Sequence, residues 1–171
     1  MRVFAILLVM LLCTHASCSS PGSRTSLSDA AVRSAIENQL ARGVEATRSQ
    51  DIDAYMDGIP EDFVIQDESG ERITREQQRA NTLRDWSIIP RTLAIELKVD
   101  SLHVYGDTAA TVFTSQRWER LMRQRKGEKL DTVLTTQAHR ERWRRTQRGW
   151  RAYEIKELGG AVWVNGKPYQ P

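Results

Sequence analysis

Residues 93–104 read Leu-Ala-Ile-Glu-Leu-Lys-Val-Asp-Ser-Leu-His-Val. Leu93, Ile95, Leu97 and Val99 alternate with other residues at a period of two, the mark of a half-buried strand. The phase then slips, and Leu102 and Val104 take the apolar positions. A one-residue slip inside a long strand predicts a β-bulge near Asp100-Ser101, and a bulge bends its strand. Downstream, Gly106-Asp107 turns the chain and Ala109 to Met122 reads as a second long strand. Arg123 to Glu128 (RQRKGE) is a polar hairpin loop. Lys129 to about Arg145 is a third strand, Gln147-Arg148-Gly149 a turn, and Trp150 to about Glu157 a fourth. The tail adds an edge strand before Asn165-Gly166 turns it away.

Upstream the period is helical. Val32, Ile36, Leu40 and Val44 form one apolar stripe of a helix that Ser26 or Ser28 caps. Asp51 caps a short helix that stops at Gly58 and Pro60. Phe63-Val64-Ile65 is a short strand. Thr74 and Gln77 make a capping box that opens a third helix, from about Arg75 to Trp86. Helices followed by a meander with a bent strand predict an α+β fold. The N-terminal helices pack on a strongly curved antiparallel sheet, which forms a cone with a pocket at its open end.

The chain has 171 residues and 19.6 kDa, the size of one domain. A hydrophobic share of 40% and a charged share of 27% exclude a disordered chain and an integral membrane protein. Residues 1–18 read as a secretory signal: Arg2, an apolar run from Val3 to Cys13, then small and polar residues. That run is too short to span a bilayer, which takes about 20 helical residues. Residues 19–26 are a flexible spacer, and 27–171 are a single domain. Of the two cysteines, Cys13 leaves with the signal. Cys18 is then alone, so no structural disulfide forms. His15-Ala-Ser before it resembles a bacterial lipobox at its last two positions, which makes Cys18 a candidate lipidation site. Cleavage by the ordinary signal peptidase is the alternative. Both place the protein outside the cytoplasm, in the periplasm or cell envelope of a bacterium.

Charge is unevenly spread. Arg24 to Asp100 carries 15 acids and 10 bases, whereas Arg117 to Arg151 carries 12 bases and 4 acids. The segment Arg140-Glu-Arg-Trp-Arg-Arg-Thr-Gln-Arg148 interleaves bases with an aromatic ring. In an exported protein this argues for an anionic lipid surface or a homodimer of opposite-charge halves, and no nucleic acid is expected. A solvated sheet face, its Arg stems covering apolar surface, is the simpler reading.

The order of elements resembles the nuclear transport factor 2-like superfamily, which includes SnoaL-like and ketosteroid-isomerase-like proteins of cystatin-like fold. The matching stretches are Asp51-Ile-Asp-Ala-Tyr55, Asp62-Phe-Val-Ile-Gln-Asp67, Gly70, Thr74-Arg-Glu-Gln77, Gly106-Asp107-Thr-Ala109 and Arg144 to Arg151. The resemblance covers about residues 28–156. It implies the cone fold but no single chemistry, because the superfamily holds isomerases, cyclases, dehydratases and transport factors. In the isomerases a general base follows the first strand, and Asp67 stands there. Their oxyanion tyrosine is matched by Gly43, which cannot donate that hydrogen bond.

Other chemistry is thinly supported. The two histidines past the signal, His103 and His139, lack metal-ligand spacing, and Asp51, Asp53 and Asp57 do not complete a calcium loop. No metal or cofactor is therefore expected. Nucleophile, phosphate and dinucleotide motifs are absent. Asp67 is a candidate base if an apolar pocket raises its pKa, and otherwise an Asp in an acidic turn. His139 is the other candidate base. With the hairpin at 123–128, Trp118 faces Leu134, Gln116 faces Thr136 and Thr114 faces Ala138. The mixed apolar and polar face predicts a ligand pocket lined by Gln116, Trp118, Leu134 and Thr136, closed by Tyr55, Trp86 and Tyr153. A slip of one would turn Phe113, Ser115, Arg117, Gln137 and His139 inward instead. The expected function is the binding of a small, partly apolar molecule. The alternatives are an isomerase, cyclase or dehydratase using Asp67 or His139, and a protein–protein module using the sheet face.

Overall fold

The computed structural model describes residues 27–124 and 129–169. The signal at 1–18, the spacer at 19–26, Cys18 and the tip of the main hairpin lie outside the described residues. Helix α1 spans Asp29–Ser49, and Ser28 caps it by accepting from the amide of Ala31. Helix α2 spans Ile52–Asp57 and is capped by Asp51, whose carboxylate accepts from the amides of Asp53 and Ala54. Strands β1 (Val64–Gln66) and β2 (Arg72–Thr74) follow, then α3 (Arg75–Ile88), opened by the Thr74–Gln77 capping box. Four long strands complete the domain: β3 (Arg91–Tyr105), β4 (Ala109–Arg123), β5 (Leu130–Thr146) and β6 (Gly149–Val164). Strand β7 (Lys167–Pro168) folds back on β6.

The sheet order is β2-β1-β6-β5-β4-β3. Every pair is antiparallel except β1 with β6, which is parallel, so the sheet is mixed rather than wholly antiparallel. The parallel pairing arises because α3 and the whole meander separate β1 from β6, and the chain returns in the same direction. Strand β2 carries too few residues for a periodic signal. The tail is not a separate edge strand either: β6 continues through it to Val164.

Curvature comes from extra residues. The β3–β4 register shifts between Thr92 and Ala94 and between Val99 and Ser101. Leu93 and Asp100 are the unpaired residues, and Asp100 sits where the apolar phase slips. The β5–β6 register shifts twice more, leaving Tyr153 and Leu158 unpaired on β6. Each bulge adds twist and bends the sheet around α1. Gly160 permits the tightest approach, since a Cβ there would lie 2.3 Å from the Thr136 carbonyl oxygen.

The closed end of the cone is the core. Val32 and Ile36 of α1 pack on Val99, Ala110, Val112, Trp143 and Trp150. Val32 and Ile36 are fully buried, worth roughly 1.5–3 kcal/mol each. The charged halves pair within the chain. Arg144 grips Asp62 through two hydrogen bonds, and Arg148 pairs with Asp57. These link the basic β5–β6 turn to the acidic helical half.

Two glycines should respond oppositely to alanine. Gly43 lies inside α1, and a Cβ there meets nothing within 4 Å. Gly43→Ala should raise stability by about 0.5–1 kcal/mol through backbone entropy. Gly160→Ala should lower it by roughly 1–3 kcal/mol, because backbone must move. Denaturant unfolding of both variants checks the pair. Equal effects would contradict the close approach at Gly160.

Candidate functional site

The open end of the cone holds a cavity of about 470 Å³, the size of a small-molecule site. Helix α1 covers one side, with Gly43 and Thr47 on its wall. Tyr55 of α2 and Trp86 of α3 meet edge to face, with ring centroids 5.9 Å apart. Gln78 donates to the Tyr55 hydroxyl at 3.0 Å, and burial raises the pKa of that phenol. The sheet supplies alternate residues of β4 and β5, because successive side chains point to opposite faces.

The hairpin register decides which residues those are. Strand β4 ends at Arg123 and β5 begins at Leu130, one residue later than the loop composition suggests. Gln116 therefore pairs with Gln137, Trp118 with Thr135 and Thr114 with His139. The even-numbered residues of β4 face inward as expected. On β5 the odd-numbered residues do, so Thr135, Gln137, His139 and Glu141 line the cavity. Leu134 and Thr136 lie on the outer face, because a one-residue change of register reverses a strand's faces. Tyr153 is also outside: it is the unpaired residue of a β6 bulge, and Arg144 stacks on its ring at 5.3 Å. Tyr55, Trp86, Gln116, Trp118 and His139 do meet around the cavity.

Asp67 does not join them. Its carboxylate accepts from the Ser69 hydroxyl at 2.7 Å and the Glu71 amide at 2.8 Å, closing a surface turn. The Ser69 hydrogen bond is the main cause holding its pKa below the usual value. A base needs the opposite shift, so Asp67 is a turn residue.

The polar groups of the cavity form a directed chain. Trp118 Nε1–H donates to Gln116 Oε1 at 2.9 Å, and an indole can only donate. The Gln116 amide is thereby oriented, and its Nε2 faces His139 Nδ1 at 2.9 Å. Nδ1 must accept, so the ring proton sits on Nε2. His139 Nε2 has no partner of its own. Burial pushes the imidazole pKa down from 6.5 to about 4. His139 therefore presents a neutral N–H donor, and its one basic nitrogen is occupied.

Glu141 lies two residues further along β5 and is only 1% exposed. It accepts from Thr114 Oγ1 and Trp143 Nε1, each at 2.8 Å. Burial is the largest effect on its carboxyl and raises the pKa. Burial also raises the pKa of Glu157, which pairs with His139 across the strands. Arg120 stands toward the hairpin. Its Nη2 donates to Thr135 at 2.8 Å, and its guanidinium lies 5.9 Å from the Trp118 ring centroid. Asp85 of α3 lines the same region. Among the described residues no group of three or more His, Cys, Asp or Glu is placed to hold a metal. Glu141 and Arg120 were not legible as site residues. The signal that finds them is position: they continue the inward rows of His139 and Trp118.

The pKa shifts set the pH dependence of stability. The unfolded imidazole takes up protons near 6.5 and the folded one near 4, so His139 stabilises the fold above 6.5. That contribution, on the order of 3 kcal/mol, is lost as pH falls from 6.5 to about 4. Glu141 and Glu157 act with the opposite sign, being lost as pH rises above the usual carboxyl value of 4.5. His139→Gln keeps an acceptor for Gln116 and should flatten the loss between 6.5 and 4. Denaturant unfolding over a pH series checks this. An unchanged slope would mean that His139 titrates normally.

No family model and no curated protein matches the chain. Solved structures do. A putative aromatic ring hydroxylase from Novosphingobium aromaticivorans is 19% identical, covers 82% of this chain and 100% of its own, and has a TM-score of 0.68. A putative scytalone dehydratase from the same species is 9% identical, over 75% and 85% of the two chains, with a TM-score of 0.64. A nuclear transport factor 2-like superfamily protein from Salmonella enterica serovar Typhimurium is 18% identical, over 77% and 93%, with a TM-score of 0.60. At these identities the likeness is one of architecture. The bent sheet, the three helices and these neighbours together show that the chain has the nuclear transport factor 2-like fold.

Proposed function

We propose that the domain binds a small, mostly apolar molecule through an oxygen acceptor that meets His139. The observation that carries this reading is the buried, unpartnered Nε2–H of His139, a residue that lines a cavity walled by aromatic rings. A buried donor without a partner costs roughly 1–3 kcal/mol, which a ligand carbonyl would recover. Orientation is built in, because the Trp118–Gln116–His139 chain cannot reverse without stranding the indole. The N-terminal apolar run supports an exported protein, with Cys18 as its lipid site.

Glu141 favours a second reading. A buried carboxyl with a raised pKa, on the same strand as a donor to a carbonyl, could relay a proton on the bound molecule. The domain would then be an enzyme of the isomerase or dehydratase type.

Acetophenone and its isostere α-methylstyrene, which has CH₂ in place of the oxygen, test the first reading. Quenching of tryptophan fluorescence reports binding. The ketone should bind about tenfold tighter, and His139→Phe should remove the difference. Equal binding of the two probes would sink His139 as the recognition group. Accelerated exchange of the ketone's methyl protons in D₂O, lost in Glu141→Gln, would favour the enzyme over the binder.

A further inference from the structure

Among the described residues three buried side-chain nitrogens lack a hydrogen-bond partner: Arg120 Nε, His139 Nε2 and Arg140 Nε. Arg140 belongs to the outer row of β5. Arg120 and His139 line one cavity. Resting on the binding reading above, we infer that the ligand is a small carboxylic acid, with its carboxylate at Arg120 and a neutral oxygen acceptor at His139.

Arg120 is a half-buried cation that forms no ion pair among the described residues. Its guanidinium carries five N–H donors, and among the described residues one is engaged, through Nη2 to Thr135. Asp85 acts on it only at longer range, and burial lowers its pKa. A guanidinium held against the Trp118 ring has its plane restricted, and its Nη groups suit a carboxylate oxygen. A ligand carboxylate reaching the Nη groups would supply the missing counter-charge; Nε itself is buried.

The opposite end of the cavity refuses charge. Glu141 and Glu157 both lie beside His139, and burial makes each reluctant to ionise. A second carboxylate there would meet two acidic groups and one neutral donor. A ketone, ether or hydroxyl oxygen meets only the donor. Asp85, which lines the same region as Arg120, already offsets part of its charge, so a single carboxylate is the limit. These charges fix the ligand's direction as well as its class.

Spacing narrows the size. Thr135, which Arg120 touches, and His139 are four residues apart on β5, about 13 Å along the strand. With the two donors at about that backbone spacing, hydrogen bonds of ~3 Å at each end leave roughly 7 Å between the two ligand oxygen groups. One six-membered ring with a short arm on each side spans that. The intervening wall includes Trp118 and the pair Gln116–Gln137, a mixed apolar and amide lining that suits a ring with polar arms.

The test is calorimetric titration of the intact chain at neutral pH with para-acetylphenylacetate, its neutral amide, and phenylacetate. The acid should bind roughly tenfold to hundredfold tighter than the amide. Phenylacetate, lacking the acetyl oxygen, should bind about tenfold more weakly than the full acid. Arg120→Gln should erase the preference for acid over amide, and Arg120→Lys should keep part of it. Equal binding of acid and amide, or a preference that survives Arg120→Gln, overturns the inference. The acid-to-amide ratio of the unaltered chain decides the matter even if the glutamine variant fails to fold. Amide binding without acid preference overturns the carboxylate alone. Failure of all three probes and of acetophenone overturns the binding reading and this inference with it.

Discussion

The cavity exists because the sheet bends away from α1, and four residues without partners make it bend. Leu93 and Asp100 on β3, and Tyr153 and Leu158 on β6, each add one residue to one side of a ladder. The inner strands β4 and β5 pair without interruption from Ala109 to Arg123. Bulged strands thus flank regular ones, and the regular pair carries the polar row that faces the cavity. A flat sheet would press that row against α1 and strand every donor and acceptor in it. The bend opens a space in which the closed end stays dry and the open end keeps its polar groups.

Within that space one donor-only group orders the rest. Trp118 forces the Gln116 amide to face one way, and the amide forces the His139 tautomer. Burial then keeps the ring neutral. The outcome is an inversion of the role usually given to histidine: here it can donate but has no free lone pair. Burial likewise favours protons on Glu141 and Glu157. The deep half of the cavity thus disfavours charge, while Arg120, among the described lining residues, supplies a cation toward the hairpin. That division supports a ligand with a neutral end and an anionic end.

Much of this architecture is written locally. The caps at Ser28, Asp51 and Thr74 are short-range hydrogen-bond patterns, and the helices begin where those residues stand. The bulge near Asp100 follows from a slip of apolar phase on β3. The register of β4 against β5 is not local. Both faces of β5 are mixed, with Thr, Gln, His and Glu inside and Leu, Thr, Ala and Arg outside. Hydrophobic alternation cannot choose between such faces. Both ends of the loop stand one residue later than its composition suggests, and the shifted register hid Glu141 and brought Leu134 and Thr136 forward in its place. Asp67 misled for another reason: its place in the chain matches a catalytic position, but Ser69 and Glu71 are near enough to claim its carboxylate. Tyr153 has the aromatic character of a pocket residue, and only the β6 bulge turns it outward.

The central claim is that the cavity greets its ligand with a neutral N–H on His139. Isotope-edited NMR of the imidazole nitrogens reads this directly. The account predicts the tautomer protonated on Nε2 at neutral pH, with no imidazolium appearing until well below the usual histidine range. A proton on Nδ1, or an imidazolium at mildly acidic pH, would contradict the directed chain and the reading of the site built upon it.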